Sequence, residues 1–232
     1  MIYAEIRKSE IPAYPTISET IGSSYLLKKN FKEALPVLLP RGFKIEELPP
    51  YTIASRPNSY IELQSINSPG DTLRLGQSTA LEVGRSGKLC LTQGSFLYSS
   101  LKNSTISLES NGSIISVTSD GTWISEKTPI GYKIISLEGN LLLGRSSFRP
   151  GELIILPVES REITSALEIE LPLLLQTSKL LNLFSNHLPR EDHLLTAAKV
   201  QSLRLKQRYD AFIGDITENQ KLRVWSIKTK ED

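Results

Sequence analysis

The chain has 232 residues, with 27 Lys and Arg against 25 Asp and Glu, so no bulk field favours nucleic acid or an anionic membrane. Its 39% hydrophobic and 22% charged content is that of a folded chain with a sizeable core and excludes intrinsic disorder. One Cys (Cys90) and two His (His187, His193) exclude an intrachain disulfide framework and any cysteine-cluster metal site.

Taken from the start, residues 1–15 read as an N-terminal extension. Charges at Glu5, Arg7, Lys8 and Glu10 stand where a secretory signal would carry its apolar stretch. Strand signals then follow, with alternation of period two, β-branched residues and turn residues between them. Ile17–Leu27 is the first predicted strand. Tyr60–Ile66 alternates more cleanly and runs into Asn67-Ser68-Pro69-Gly70-Asp71, a strong turn cluster. Thr72–Leu75, Thr79–Val83, Lys88–Thr92 and Ser95–Tyr98 come next, with glycines between. Thr105–Glu109 and Ile114–Thr118 flank an Asn111-Gly112 hairpin signal, since Asn-Gly tolerates the positive φ of a type I′ turn. Thr122–Ser125, Tyr132–Leu137, Asn140–Leu143 and Glu152–Pro157 close the series.

The period then changes. Pro172 fits the first turn of a helix that continues to Phe184. His187-Leu188-Pro189 breaks it, and a second helix is predicted over Glu191–Tyr209. Its apolar face is assigned to Leu194, Leu195, Ala198, Leu205, Tyr209 and Phe212, with Val200 and Leu203 off it. Lys221–Ile227 alternates again and reads as a last strand. No apolar run reaches the ~18 residues of a membrane span.

Charge supports the division. Residues 67–158 carry 15 charged side chains over 92 positions, whereas residues 159–232 carry 22 over 74. The predicted fold is therefore mainly β: an elongated sandwich or solenoid-like body of short antiparallel strands, with a helical segment packed on it. The organisation expected is an extension (1–15), an all-β domain (16–158) and a helical segment with a possible final strand (159–232).

Candidate chemistry is sparse. His187 and His193 lie six apart around a proline, which is the wrong spacing for helical metal ligands. Asp192-His193 has no nucleophile elbow to complete a triad. Cys90 alternates with Leu89 and Leu91 and is read as a small buried hydrophobe. Glu46-Glu47 before Pro49-Pro50 reads as a solvated turn, and Arg204, Lys206 and Arg208 as a solvated helix face. No phosphate-binding glycine loop is present. No catalytic, cofactor-binding or metal-binding set is assigned. Tyr98, Trp123 and Tyr132, with Phe96, lie in predicted strands. Aromatic rings on one β face can stack on sugars, but a place in the core is the preferred reading.

The ordered motifs carry a resemblance. ISETIGSSYLL (Ile17–Leu27) is followed by ALPVLLPRGFKIEE (Ala34–Glu47) and TIASRPNSYIELQ (Thr52–Gln64). GDTLRLGQSTALEV (Gly70–Val83) and LCLTQGSFLYSS (Leu89–Ser100) come next. ISVTSDGTWIS (Ile115–Ser125), KIISLEGNLLLG (Lys133–Gly144) and RPGELIILPV (Arg149–Val158) complete it. Over residues 16–158 this series resembles the FecR domain, the extracytoplasmic part of the iron-dicitrate sensor family. The resemblance implies an all-β module that senses or transmits a signal from outside the membrane. The family's full-length regulators add a sigma-factor-binding segment and one membrane helix, and neither is read here. Leu171–Trp225 matches no part of the domain.

The function expected is a non-enzymatic FecR-like module working through protein–protein contacts in signalling or cell-envelope organisation. The alternative is a glycan-binding β-module using Tyr98, Trp123 and Tyr132. An uncharacterised hydrolase is a minor third reading. A protein partner is expected, no nucleic acid, and no cofactor. The location expected is periplasmic or extracellular if a signal peptide stands upstream of this sequence, and cytoplasmic otherwise.

Overall fold

The structure is a computed structural model describing residues 14–28, 36–66, 68–84, 88–110, 113–157, 164–211 and 227–229. The alternating sequence builds two facing sheets. The first has eight strands in the order β1 (Thr16–Ile21), β5 (Tyr60–Gln64), β6 (Thr72–Leu75), β9 (Ser95–Ser99), β12 (Thr122–Thr128), β13 (Gly131–Glu138), β16 (Glu152–Pro157), β17 (Leu167–Glu168). The second has nine, in the order β15 (Ser146–Phe148), β14 (Leu141–Leu143), β11 (Ser113–Ser119), β10 (Ser104–Ser110), β8 (Lys88–Gln93), β7 (Ala80–Val83), β4 (Tyr51–Ser55), β2 (Ser24–Lys28), β3 (Val37–Leu38). Pairing is antiparallel except between β8 and β10. A short ribbon pairs β18 (Tyr209–Ala211) with β19 (Ile227–Thr229).

The helices are α1 (Leu171–Thr177), α2 (Lys179–Asn182) and α3 (Glu191–Arg208). Pro172 lies in the first turn of α1, where its missing N–H costs nothing. Ser178 interrupts the single helix predicted to Phe184 by leaving helical geometry at φ −72°, ψ 119°. The predicted strand Lys221–Ile227 lies outside the described residues except for Ile227, and so does the Asn111-Gly112 turn. Ser110 pairs with Ser113 at the end of the antiparallel β10–β11 ladder.

One predicted strand divides. Ile17–Leu27 becomes β1 in the first sheet and β2 in the second. The chain changes sheets at Gly22-Ser23, where Gly22 has φ +75° and a Cβ would lie 2.4 Å from the Ser59 hydroxyl. Only glycine accepts both that conformation and that approach.

Two apolar layers result. The first lies between the sheets. Ile61, Leu63, Leu73, Leu75, Phe96, Tyr98, Trp123 and Ile134 meet Ile53, Leu81, Leu89, Leu91, Leu108 and Val117 there. The second lies on the outer face of the first sheet. Leu97, Ile124, Ile135 and Leu137 pack there against Leu171, Leu180, Leu188, Leu194 and Ala198. The order is therefore sheet, sheet, helices, and the first sheet is covered on both faces. That explains why β6 is buried at all four positions.

Candidate functional site

Where β13 ends, its pairing with β12 shifts register. Trp123 stands opposite Ser136, but Thr122 stands opposite Glu138, so Leu137 is the extra residue. A bulge of this kind re-aims the side chains that follow it. Strict alternation from Ile134 would point Glu138 between the sheets. Instead Glu138 joins Leu137 on the helix side and meets the start of α3. The neighbouring turn is tight: a Cβ on Gly121 would lie 2.0 Å from the Glu138 carbonyl oxygen.

Glu138 is only 4% exposed. Its Oε1 lies 2.8 Å from Arg190 Nη2 and 3.9 Å from His193 Nδ1. Arg190 also donates through Nη1 to the Asp120 carbonyl. Burial holds the Glu138 carboxyl above the usual carboxylate range, against the pull of Arg190 and His193, with Asp120 adding to the rise. A raised folded-state value means that the folded chain binds more protons than the unfolded one. Stability from this group is complete below the unfolded value and is lost as pH rises through the folded one. Denaturation followed across the acidic range should therefore give a flatter stability profile in Glu138→Gln than in the parent.

Beside Glu138 an open cleft of about 430 Å³ separates the β13–β14 turn and Pro150 from α3. Asp192, His193, Thr196 and Val200 line its helix side, with Gln201 and Arg204 at the far end. The last two are already engaged. Gln201 donates to Ile169 O at 2.6 Å and accepts from Leu171 N at 3.3 Å, which ties α1 to α3. Arg204 donates to Pro150 O at 3.0 Å and lies 3.3 Å from Glu168.

A second polar cluster fixes the helices to the sheet. Arg74 and Glu62 are each 1% exposed and paired Nε to Oε2 at 2.7 Å. Arg74 also donates to the carbonyls of Leu180 (3.1 Å), Leu181 (3.2 Å) and Asn186, and stacks on Phe184 at 4.6 Å. Glu62 Oε1 accepts from Ser18 at 2.6 Å and from Asn186 at 2.8 Å. Each guanidinium nitrogen thus donates to at least one acceptor, as burial of a charge demands.

The outward side of α3 is different. Leu195, Val200 and Leu203 are 54%, 57% and 61% exposed, while Leu194, Ala198 and Gln201 are buried beneath them. Leu195, assigned by its sequence to the inner face, follows Leu194 by ~100° of helical turn and faces out. The helix is thus apolar on both sides.

The predicted site residues can now be placed. Tyr98, Trp123 and Tyr132 are 0%, 1% and 1% exposed, inside the inter-sheet core. Trp123 meets Phe96 edge-on at 5.2 Å, and Tyr132 Oη donates to Glu109 O at 2.6 Å. They offer no stacking face: they take the core places preferred from the sequence, and the possible binding-face role is set aside. Cys90 is corrected. It is part-exposed on the outer face of β8, because Leu89 and Leu91 take the inner one. His187 is exposed and paired with Glu191 one turn on. Glu47 meets Lys28 at the surface. Side chains of Lys206 and Arg208 lie outside the described residues. Among the described residues, no three His, Cys, Asp or Glu side chains are grouped to hold a metal ion, and no helix is long and apolar enough to cross a membrane. Glu62, Arg74 and Glu138 were missed from sequence, although a charge set between leucines in TLRL is a visible signal.

Comparison with protein families, with curated proteins and with solved structures finds no match to this chain.

Proposed function

We propose that this chain is a non-enzymatic, FecR-like extracytoplasmic module that acts through protein–protein contacts in signal sensing or cell-envelope organisation. The observation that carries the contact reading is the outward side of α3. A helix docked through Leu194 and Ala198 has no folding use for Leu195, Val200 and Leu203 on its other side. Grouped exposed aliphatics of this kind mark interaction surfaces, whereas single ones are ordinary. The ordered motifs over residues 16–158 support the family, and the family supports a location outside the cytoplasm.

The test uses the full chain in its native host. Crosslinked capture should recover a specific partner with the parent, and about tenfold less with the L195E/L203E double variant at unchanged melting temperature. Fractionation should place the protein outside the cytoplasm. Equal capture by both forms overturns the contact face. Recovery only from the soluble cytoplasmic fraction overturns the extracytoplasmic assignment.

A further inference from the structure

The outward side of α3 carries a spacing that reads alike from either end. Leu195 stands four residues before Lys199 and Leu203 four residues after it. Asp192 stands seven residues before and Lys206 seven after. Steps of four and seven residues stay on one side of a helix, so the five positions form a single strip, about 21 Å long. Asp192, Leu195, Lys199 and Leu203 are all exposed, and the exposed Val200 borders them. The apolar residues are placed symmetrically about the centre, whereas the charges at the two ends are opposite. Glu191 and Asp192 open the helix, and the sequence puts Lys206 and Arg208 in its last turn. Such a strip matches its own copy turned end for end. Leucine then meets leucine, and the acidic start of each helix meets the basic end of the other. A parallel alignment would set acid beside acid and base beside base.

We propose that the occupant of this face is a second copy of the chain, docked by an antiparallel α3–α3 contact with its two-fold axis at Lys199. The proposal rests on the α3 contact face inferred above and names its partner. Leu195 packs on the partner's Leu203, and Asp192 stands opposite the partner's position 206. Two-fold symmetry makes each of these contacts twice. The antiparallel arrangement also sets the positive end of each helix dipole beside the negative end of the other. Lys199 stands opposite its own copy, and that repulsion keeps the association weak. One helix pair covers less surface than the ~1,200–2,000 Å² of a standard stable interface. The dimer therefore forms and dissociates within the range of about 1 μM to 1 mM that small interfaces occupy.

The experiment is analytical ultracentrifugation of the purified full chain across that concentration range, with thermal melts to show that each variant is folded. The expected result is a monomer–dimer equilibrium with no larger species, because a two-fold contact closes on itself. L195E/L203E should dimerise at least tenfold more weakly. Asp192→Lys and Lys206→Asp should each weaken the dimer several-fold. Mixing those two single variants should give a heterodimer tighter than either homodimer, since opposite charges then meet at both ends. The D192K/K206D double variant should recover most of the parent's affinity for the same reason. The charge variants keep the proposal testable if L195E/L203E does not fold. A dimer unchanged in L195E/L203E, or losses that simply add in D192K/K206D, overturns the antiparallel contact. A chain that stays monomeric at ~1 mM overturns the second copy, since a contact weaker than that is below any specific interface. Host capture that still depends on Leu195 and Leu203 would then leave the contact face in place with a different protein on it, so the two failures are distinct.

Discussion

Arg74→Ala is expected to lower the unfolding free energy by about 3–5 kcal/mol, the usual cost of breaking a buried pair from one side. Glu62 would stay buried with its charge uncompensated, and three helix-segment carbonyls would lose their donor. Urea denaturation measures the loss. Limited proteolysis should show cleavage within residues 171–190 well before the strands are cut, because Arg74 holds that segment to the sheet. A Glu62→Gln/Arg74→Met double variant separates two contributions. It removes both charges, so recovery of part of the loss is expected. The part that does not return belongs to the carbonyls of Leu180, Leu181 and Asn186. Full recovery would mean that those three bonds add nothing.

Trp123→Ala should cost a comparable ~3–5 kcal/mol, the range for emptying a large aromatic from a packed core. Trp123 is 1% exposed and fixes the orientation of Phe96 by an edge-on contact. The surrounding strands belong to continuous ladders and have little freedom to collapse into the space. Trp123→Phe should lose clearly less, since most of the ring volume remains. Thermal melts and near-ultraviolet dichroism report both changes. Loss of the aromatic dichroism together with stability is the mark of a core ring. A ring serving only as a sugar platform would leave the melting temperature where it was.

Much of the β body was legible because its strands obey alternation and are punctuated by turn residues. Thr72–Leu75 and Glu152–Pro157 fall where their patterns put them. The helix over Glu191–Arg208 was legible from the break at His187-Leu188-Pro189 before it and from its roughly helical apolar spacing, Leu195 excepted. Three features were not. Ile17–Leu27 reads as one alternating run, since nothing local says that Gly22 hands the chain to the other sheet. The helices were expected on the body, but the strand residues beneath them were hidden, because burial on both faces removes the polar half of the alternation, as in Phe96-Leu97-Tyr98. The site at Glu138 was hidden most completely. Its direction comes from one extra residue in the ladder, and a bulge depends on pairing with β12 that no single strand encodes.

The middle sheet has a consequence for how such a chain could evolve. Its strands carry the inter-sheet core on one face and the layer under the helices on the other, so neither layer can be exchanged alone. A lineage that lost residues 171–208 would bare Leu97, Ile124, Ile135 and Leu137 in one step, together with the Glu62–Arg74 pair. Viable descendants would need polar replacements on several separate strands. The helical segment is thus an inherited commitment of the strands that carry it, rather than an accessory joined to their end.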